Sequence, residues 1–310
     1  EIKVTAEELD ITIDAQDILE EAYNVGRQGS FFERVSAIID VRTNGYIIGY
    51  DISFDEQNII VGGRKIRVYA EMDPKNLPWR ELNIDEVFEC TGKFVEKDKA
   101  YAHIEAGAKK VIISAPAKGD LKTIVYNVNE ETLDGSEEVI SAASCTTNCL
   151  APVCKVLDDN FGIVKGYMTT VHAYTNDQSI LDVAHKKGIY ARRGRAGASN
   201  IIPSSTGAAK AIGLVIPSLK GRMNGSALRV PTTTGSVVDL SLELSRSTTV
   251  EEINNVFRSN ANETLGYTED PIVSSDIIGS RLGGLVDGLL TDVLEVDGKQ
   301  LVKVVAWYDN

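Results

Sequence analysis

The chain has 310 residues, of which 43% are hydrophobic and 25% charged, a balance typical of a soluble globular protein with room for two domains. The formal net charge of −13 argues against a nucleic-acid partner, because phosphate binding needs a basic surface. No run approaches about 18 consecutive apolar residues, so no membrane-spanning helix is expected, and residues 1–10 lack the basic start and apolar core of a signal peptide.

The negative charge is concentrated at the start of the sequence. Residues 1–57 hold 13 acidic and 4 basic residues, a net charge of −9, whereas residues 58–310 hold 32 acidic and 28 basic residues, a net charge of −4. The first segment also contains no cysteine and no histidine. This shift in composition predicts a boundary near residue 57.

The first half of the chain alternates between predicted strands and helices. Strand–helix–strand alternation with short links indicates a parallel α/β sheet. The predicted elements, in chain order, are a helix over 14–25, a strand over 46–54, a hairpin over 59–74 with its turn at Gly62 and Gly63, a strand over 84–92, a helix over 97–109, and strands over 110–117 and 137–145.

The second half is dominated by long strand-like runs, several of which alternate with period two. This pattern predicts an antiparallel or mixed sheet with helices on one face. After a helix that follows Cys145, the predicted elements are strands over 163–175 and 223–245, a helix over 250–262, and strands over 276–288 and 301–310.

The glycine pattern G-x-G-x-x-G of dinucleotide-binding sheets is absent from the sequence. Gly26 and Gly29 stand in VGRQGS, but they follow a predicted helix and not a strand. The strand alternation therefore indicates a nucleotide-binding half without its usual phosphate-binding turn.

Three of the four cysteines lie within ten residues, in SAASCTTNCLAPVC. The spacings of four and five residues between Cys145, Cys149 and Cys154 differ from the repeated Cys-x2-Cys pairs of zinc sites, and Cys90 is distant, so no metal site is predicted. A disulfide between Cys145 and Cys149 would join positions one helical turn apart and constrain little. Four cysteines in a chain of this size do not make a disulfide scaffold, which favours a reducing, cytoplasmic setting.

Cys145 is a candidate nucleophile because the helical spacing after it places it at or near a helix N-terminus. The partial positive charge there stabilises a thiolate, and a histidine base would complete the activation. His172 is the best candidate, since it stands in a strand of small and polar residues. His103 lies in a helix that runs into surface sequence and is expected to be structural, and His185 lies in a basic loop. The alternative is that the cysteines are small core residues, which is the stronger interpretation for Cys149 and Cys154.

Nine motifs follow one another along the chain: NLPW, ECTG, AGAKKVIISAPA, SAASCTTNCLAP, TTVHAYTNDQ, NIIPSSTGAAKAIG, RVPTTTGSVVDL, GYTEDPIVSSDIIG and KVVAWYDN. In order and at the expected spacing, they resemble those of glyceraldehyde-3-phosphate dehydrogenases. The resemblance runs from about Asn58 to Asn310, and it implies an incomplete Rossmann-like parallel sheet followed by an α+β catalytic domain with a mixed or antiparallel sheet.

The resemblance implies a role for each matching position. Cys145 is the implied nucleophile towards the aldehyde and His172 the implied base, with hydride transfer to NAD and phosphorolysis of the thioester to 1,3-bisphosphoglycerate. Asp177 is implied beside the substrate-phosphate site, and either Arg193 or Arg195 occupies the position shared by the two phosphate sites. The implied substrate-binding residues are Ser144, Thr146, Thr175, Arg195, Thr206, Gly207 and Arg229, and the implied cofactor-binding residues are Thr91, Gly92, Phe94, Ser114 and Asn310.

The sequence departs from the family at both ends. The family's opening strand, glycine-rich turn and helix are absent, and residues 1–57 stand in their place, with a stretch, EEAYNVGRQGSFFER, that resembles a peptidoglycan-binding module of bacterial cell-wall proteins. The sequence ends at Asn310, where the family continues into a C-terminal helix. The expected organisation is a foreign or atypical segment over 1–57, the remainder of an NAD-binding domain over 58–145 and a catalytic domain over 146–310.

The resemblance also bears on partners and leaves alternatives open. It implies glyceraldehyde 3-phosphate, inorganic phosphate and NAD as ligands, a homotetramer, and no membrane or nucleic-acid partner. The missing glycine turn predicts weak cofactor binding. The alternatives are an inactive chimeric fragment, a cell-wall binding protein that works through residues 1–57, and a relative that acts hydrolytically on erythrose 4-phosphate.

Overall fold

A computed structural model describes residues 52–181 and 183–310. The chain divides into two compact units, residues 1–77 and residues 78–310. The helix predicted over residues 14–25 lies outside the described residues, as does most of the strand predicted over 46–54. The described end of that strand is β1 (Ile52–Phe54).

The described part of the first unit is a three-stranded antiparallel sheet. Strand β1 pairs with β2 (Asn58–Val61), which pairs with β3 (Arg64–Arg67). The connecting residues Gly62 and Gly63 have φ angles of 55° and 77°, the left-handed values that a tight two-residue hairpin turn requires. The predicted hairpin and its Gly-Gly turn are therefore confirmed.

The second unit begins with a three-stranded parallel sheet. Its strands are β4 (Glu86–Glu89), β5 (Lys110–Ile113) and β6 (Val139–Ser141), in that spatial order. Two helical turns, α1 (Lys97–Ala100) and α2 (Ala102–Glu105), connect β4 to β5. The strand–helix–strand pattern read from the sequence is confirmed here.

The helix predicted over residues 97–109, with its end near Gly107, is confirmed, and its last helical residue is Glu105. Tyr101 keeps helical angles (φ −62°, ψ −18°), so α1 and α2 form one continuous helical path. Gly107 then has φ 113°, and a Cβ atom there would lie 2.5 Å from Cβ of Arg80 and 2.7 Å from its backbone. Only glycine fits this close approach, and it turns the chain into β5.

A mixed eight-stranded sheet forms the larger part of the second unit, which confirms the predicted α+β half. Its strand order is β11-β12-β14-β10-β7-β9-β8, with β13 beside β14, and the β7–β9 and β11–β12 pairs are parallel. The elements are α3 (Cys145–Phe161), β7 (Ile163–Ala173), β8 (Ile202–Ser205), α4 (Ala208–Val215), β9 (Met223–Val230), β10 (Ser236–Leu244), α5 (Val250–Ser259), β11 (Leu265–Thr268), β12 (Gly284–Asp287), β13 (Asp292–Val296) and β14 (Lys299–Tyr308).

Helix α3 packs on one face of this sheet and carries Cys145 at its first position. Period-two alternation on β10 and β14 directs their apolar side chains to the helix, where Leu240 and Val304 are fully buried. On the helix, Leu150 and Leu157 are fully buried against them. Each such burial contributes roughly 1.5–3 kcal/mol, so the helix is held firmly and its N-terminus is fixed relative to the sheet.

The strand predicted over residues 276–288 is wrong for most of its length. Only Gly284–Asp287 is a strand, and Ser274–Ile277 forms a 3₁₀ turn. The Asp276 carboxylate accepts the N–H of Val273 at 2.7 Å, which closes that turn. None of the helices in the described residues is long and apolar enough to cross a membrane.

Candidate active site

Cys145 is exposed at the first position of α3. The helix starts there because Ser144 is the N-cap residue, its hydroxyl oxygen accepting the N–H of Thr147 at 3.1 Å. Before it, Ala143 has φ 60°, and its N–H is bonded to the Ser141 hydroxyl at 3.1 Å. The predicted helix N-terminus at Cys145 is thus confirmed, and the thiol lies at the positive end of a 17-residue helix.

His172 faces this thiol from β7, with its Nε2 atom 3.5 Å from Sγ of Cys145. The side chain is only 3% exposed. Burial, followed by the positive charge of Arg229, lowers the pKa of His172 to about 4. The imidazole is therefore neutral near pH 7 and has a lone pair available.

The tautomer of His172 follows from the groups around its other nitrogen. Nδ1 lies 2.8 Å from the carbonyl oxygen of Ala173 and 2.9 Å from Nη1 of Arg229. That Nη1 has two hydrogens, and acceptors for both lie at the Ala173 carbonyl (2.9 Å) and the Thr175 hydroxyl (3.0 Å). We assign the ring hydrogen to Nδ1, donated to Ala173, which leaves the Nε2 lone pair directed at Sγ of Cys145.

A cluster of charged groups adjoins His172. Arg229 stands opposite His172 in the parallel β7–β9 ladder. Asp177 accepts hydrogen bonds from Thr175 and Arg193; burial opposes its ionisation, but these bonds prevail and its pKa is lowered. Burial and nearby Arg193 lower the pKa of Arg229. These two arginines with one carboxylate carry a net positive charge, which favours an anion, and we call this cluster the anion pocket.

Arg229 also has an unused donor in this pocket. Its buried Nε has no hydrogen-bond partner among the described residues. Such a donor costs free energy unless a ligand accepts from it, and phosphate oxygens are well suited to a guanidinium fork.

The sequence left open whether Arg193 or Arg195 occupies the position shared by the two phosphate sites. The structure gives the two side chains different surroundings. Arg193 lies in the cluster with Asp177, whereas Nε of Arg195 donates to the carbonyl of Ile189 at 2.7 Å and its side chain is exposed. The role predicted for Arg195 stays a prediction.

The other predicted phosphate-site residues lie in two places. Thr146 is in the first turn of α3 with Ser144, and its hydroxyl bonds to Tyr308 at 2.8 Å. Thr206 and Gly207 precede α4, and the Thr206 hydroxyl accepts the N–H of Ala208 at 3.2 Å. Strand β8 runs antiparallel to β9, away from Arg229, before reaching Thr206.

Three of the predicted cofactor residues lie at the carboxyl ends of the parallel strands, and Asn310 follows a strand of the large sheet. Thr91 and Gly92 follow β4, and Ser114 follows β5. Gly92 has φ 70° with open space where a Cβ would point. Asn310 follows β14, and its Oδ1 accepts the Ser236 hydroxyl at 2.6 Å. Open α/β sheets bind ligands at this end of their strands.

Sequence reasoning missed several residues that hold the site together. Tyr308 bonds to Thr146 and, at 2.7 Å, to Thr170. Ser236 accepts the N–H of Ala173 at 3.1 Å and so links the end of β7 to Asn310. A signal was present for Thr170, because period-two alternation places it on the same face of β7 as His172.

The geometry of these residues defines a class of site. A thiol at a helix N-terminus, facing a neutral imidazole and next to an anion pocket, is suited to covalent chemistry on a phosphorylated carbonyl compound.

Three known family models match parts of the chain. Residues 144–310 match the family model described as Glyceraldehyde 3-phosphate dehydrogenase, C-terminal domain, and residues 40–97 match its NAD binding domain. Residues 2–60 match the model described as "Putative peptidoglycan binding domain". Both resemblances read from the motifs are therefore confirmed.

Relatives match over most of the chain. The glyceraldehyde-3-phosphate dehydrogenase of Clostridium pasteurianum is 56% identical over 285 residues, covering 89% of this chain and 85% of that protein. That of Streptococcus pyogenes is 52% identical over 293 residues, covering 91% of this chain and 87% of that protein. The chain belongs to the glyceraldehyde-3-phosphate dehydrogenase family.

Proposed function

We propose that the chain catalyses the NAD-dependent, phosphorylating oxidation of glyceraldehyde 3-phosphate, with Cys145 as nucleophile and His172 as base. The observation that carries the proposal is the 3.5 Å approach of the His172 Nε2 atom to Sγ of Cys145 at the head of α3. The neutral imidazole is in the form that accepts a proton from the thiol.

The proton steps can be written on these two residues. Sγ of Cys145 bonds to the aldehyde carbon while Nε2 of His172 takes the thiol proton and passes it to the new hydroxyl of the hemithioacetal. Nε2 accepts that hydroxyl proton again as the C–H bond of the same carbon breaks, a hydride leaves and the carbonyl of the thioester forms. Burial and Arg229 disfavour the charged imidazolium, so His172 releases its proton readily after each transfer.

The substrate's phosphate fits the anion pocket. Arg229 and Thr175 would bind it, while Asp177 holds Arg193 in place. Inorganic phosphate would bind at the head of α3, where the helix N-terminus and the residues Ser144 and Thr146 lie, with Thr206 and Gly207 in the same role. Attack of phosphate on the thioester carbon breaks the C–S bond and returns the sulfur of Cys145.

The described residues could hold the nicotinamide end of NAD, which accepts the hydride. The open space at Gly92 and the hydroxyls of Thr91 and Ser114 would hold the cofactor at the carboxyl ends of β4 and β5. Asn310, oriented by Ser236, would hold the carboxamide. NAD supplies the acceptor for the hydride that leaves the substrate carbon.

The test is phosphate-dependent formation of NADH from glyceraldehyde 3-phosphate. We expect activity in the wild type and none in Cys145→Ser. Acyl phosphate should appear only with inorganic phosphate; release of free acid without phosphate dependence would favour a hydrolytic aldehyde dehydrogenase. A folded wild type that forms no NADH would contradict the proposal. Calorimetry with NAD tests cofactor binding separately.

We propose further that the exposed face of the large sheet mediates a homotetramer. Tyr167, Leu294, Val296 and Leu301 are each about half exposed and line one groove on this face. Leu294→Asp should lower the mass measured by light scattering, whereas Leu214→Asp, at an exposed position on α4, should not. A wild type that is monomeric at all concentrations would contradict this assembly.

The organisation into 1–57, 58–145 and 146–310 is proposed on the charge shift and on the match of residues 2–60 to a separate family. The NAD-binding match over residues 40–97 and the pairing of β1 with β2 extend across residue 57. The exposed residues Tyr69 and Met72 lie just beyond the first boundary. Limited proteolysis should first cut between residues 57 and 78. First cuts within 78–310 would argue against it. We also propose a cytoplasmic location, since Cys90 and Cys145 are exposed free thiols.

A further inference from the structure

A buried polar chain lies behind the turn that follows β4. Glu89, the last residue of β4, is 3% exposed, and His103, on α2, is 5% exposed. Trp79 stacks on His103 with ring centroids 6.3 Å apart. These residues are outside both the Cys145–His172 pair and the anion pocket, and the mechanism above does not use them.

The direction of each hydrogen bond in this chain is fixed by Trp79. An indole N–H can only donate, so Nδ1 of His103, 3.0 Å away, accepts. The ring hydrogen of the neutral imidazole is therefore on Nε2, 3.1 Å from Oε2 of Glu89, and that carboxylate oxygen accepts it. The chain runs from indole to imidazole to carboxylate without an alternative arrangement.

The other carboxylate oxygen of Glu89 holds Thr91. Oε1 accepts the N–H of Thr91 at 2.7 Å and also the hydrogen of its hydroxyl. The N–H of Lys93 donates to the Thr91 oxygen at 3.1 Å. The only hydroxyl hydrogen of Thr91 is thus engaged in a hydrogen bond to Glu89. The hydroxyl oxygen keeps one free lone pair, which can accept a hydrogen bond on the exposed side of the turn.

Glu89 also reaches the neighbouring strand. Its backbone carbonyl accepts both the N–H and the hydroxyl of Ser114, each at 3.1 Å. On the other side, the ring of Phe94 meets His103 edge to face at 6.2 Å. The chain therefore contacts Thr91, Phe94 and Ser114, three of the residues predicted to line the cofactor.

We propose that Glu89, His103 and Trp79 are positioning residues that set the shape of the turn over 89–92 so that Thr91 presents an acceptor to a hydroxyl or amino donor of NAD. The assignment of NAD as the ligand rests on the proposed function. The hydrogen-bond chain and its effect on the turn do not.

Glu89→Gln tests the chain because an amide cannot satisfy both of its neighbours. If the amide oxygen faces Thr91, the amide NH₂ faces Nε2 of His103, whose hydrogen must move to Nδ1 and confront the indole N–H. If the amide is reversed, its NH₂ confronts the backbone N–H of Thr91. Either orientation places two donors against each other.

Trp79→Phe removes one side of this conflict. Without the indole N–H, His103 can carry its hydrogen on Nδ1 and accept from the amide of Gln at position 89. The second substitution should therefore rescue the first, a sign that unrelated damage to packing would not give.

The measurements are the amide exchange rate of Thr91, the Kd for NAD, and urea unfolding to confirm that each variant is folded. Glu89→Gln should speed exchange of Thr91 and weaken NAD binding by about tenfold or more. In the Trp79→Phe background, Glu89→Gln should weaken NAD binding by less than about threefold. Glu86→Gln, the same substitution at an exposed position of β4, should alter neither quantity.

Three outcomes would overturn the proposal. The first is a change in the Kd for NAD on Glu89→Gln that is equal in the wild-type and Trp79→Phe backgrounds. The second is an unchanged exchange rate of Thr91. The third is a lowered free energy of unfolding with an unchanged Kd for NAD. Nitrogen NMR of His103 should show the hydrogen on Nε2 in the wild type and on Nδ1 in the double variant. A folded wild type that binds no NAD would overturn the proposed function, and the exchange rates would then decide the positioning role alone.

Discussion

The ring of Tyr308 meets the imidazole of His172 edge to face, with centroids 5.8 Å apart. Its hydroxyl bonds at the same time to Thr146 in the first turn of α3 and to Thr170 on β7. One buried side chain thus couples the helix that carries the thiol to the strand that carries the base. Burial raises the pKa of Tyr308 above its usual value, so the phenol remains a donor.

Removing this hydroxyl should disturb both elements. Tyr308→Phe leaves the hydroxyls of Thr146 and Thr170 buried without their partner, which should lower the free energy of unfolding by about 1–3 kcal/mol. We expect kcat to fall. KM for glyceraldehyde 3-phosphate should change less, because the substitution does not touch the anion pocket. Urea unfolding and steady-state kinetics measure these effects. Tyr190→Phe, at an exposed position, is the control, and an equal loss there would contradict the coupling.

The geometry of Cys145 and His172 predicts selective alkylation. Iodoacetamide should label Cys145 at least about tenfold faster than Cys90, the other exposed thiol, because Cys145 has a base and a helix N-terminus beside it. Burial raises the pKa of Cys154 to about 12 and that of Cys149 further, so both should stay unlabelled in the folded protein.

Peptide mass spectrometry over time measures each rate. His172→Gln should reduce labelling at Cys145 to near the rate of Cys90, whereas His185→Gln should leave it unchanged. Equal rates at both exposed thiols in the folded wild type would contradict the assignment of Cys145 as nucleophile.

The local features of this site were readable from the sequence, and the long-range ones were not. Helical spacing after Cys145 and the Ser144 cap are contained within a few residues, so the helix start could be predicted. The partner of Thr146 is Tyr308, 162 positions away, and only the register between β7, β10 and β14 brings them together. No local pattern encodes that register.

The elements of the fold that the sequence did not predict have a similar cause. The short strands Leu265–Thr268 and Asp292–Val296 were not predicted, and neither was the helix Ala208–Val215. Each depends on a neighbouring element for its stability, because four to eight residues carry too little propensity alone. Glu89 was overlooked for another reason: its motif was recognised, but nothing in the sequence places His103 against it.

Anion recognition should depend on the fork geometry of Arg229 as well as on its charge. Arg229→Lys keeps the charge but cannot reach the Ala173 carbonyl, Thr175 and a phosphate together. We expect KM for glyceraldehyde 3-phosphate to rise by about 10–100-fold. Steady-state kinetics with Arg222→Lys as the matched control, whose arginine bonds to the carbonyl of Ile163, would show whether the effect is specific. An unchanged KM would remove Arg229 from the phosphate site.

The depressed pKa of His172 predicts a pH dependence of stability with a definite sign. The unfolded histidine takes up a proton near its ordinary pKa of about 6.5, whereas the folded one does so only near pH 4. Between these values the unfolded state binds more protons, so the free energy of unfolding falls as the pH falls from 6.5 to 4. At about 1.4 kcal/mol per unit, this residue accounts for at most about 3 kcal/mol.

The difference between wild type and His172→Gln isolates this contribution, because other titrating groups are common to both. We expect the wild type to lose up to about 3 kcal/mol relative to the variant across that window, and less than about 0.5 kcal/mol between pH 8 and 6.5. Urea unfolding at half-unit steps of pH measures it, with His185→Gln as the control. A relative stability that rises as the pH falls would mean that the folded imidazole is charged, and the thiol–imidazole pair would then be an ion pair in the resting enzyme.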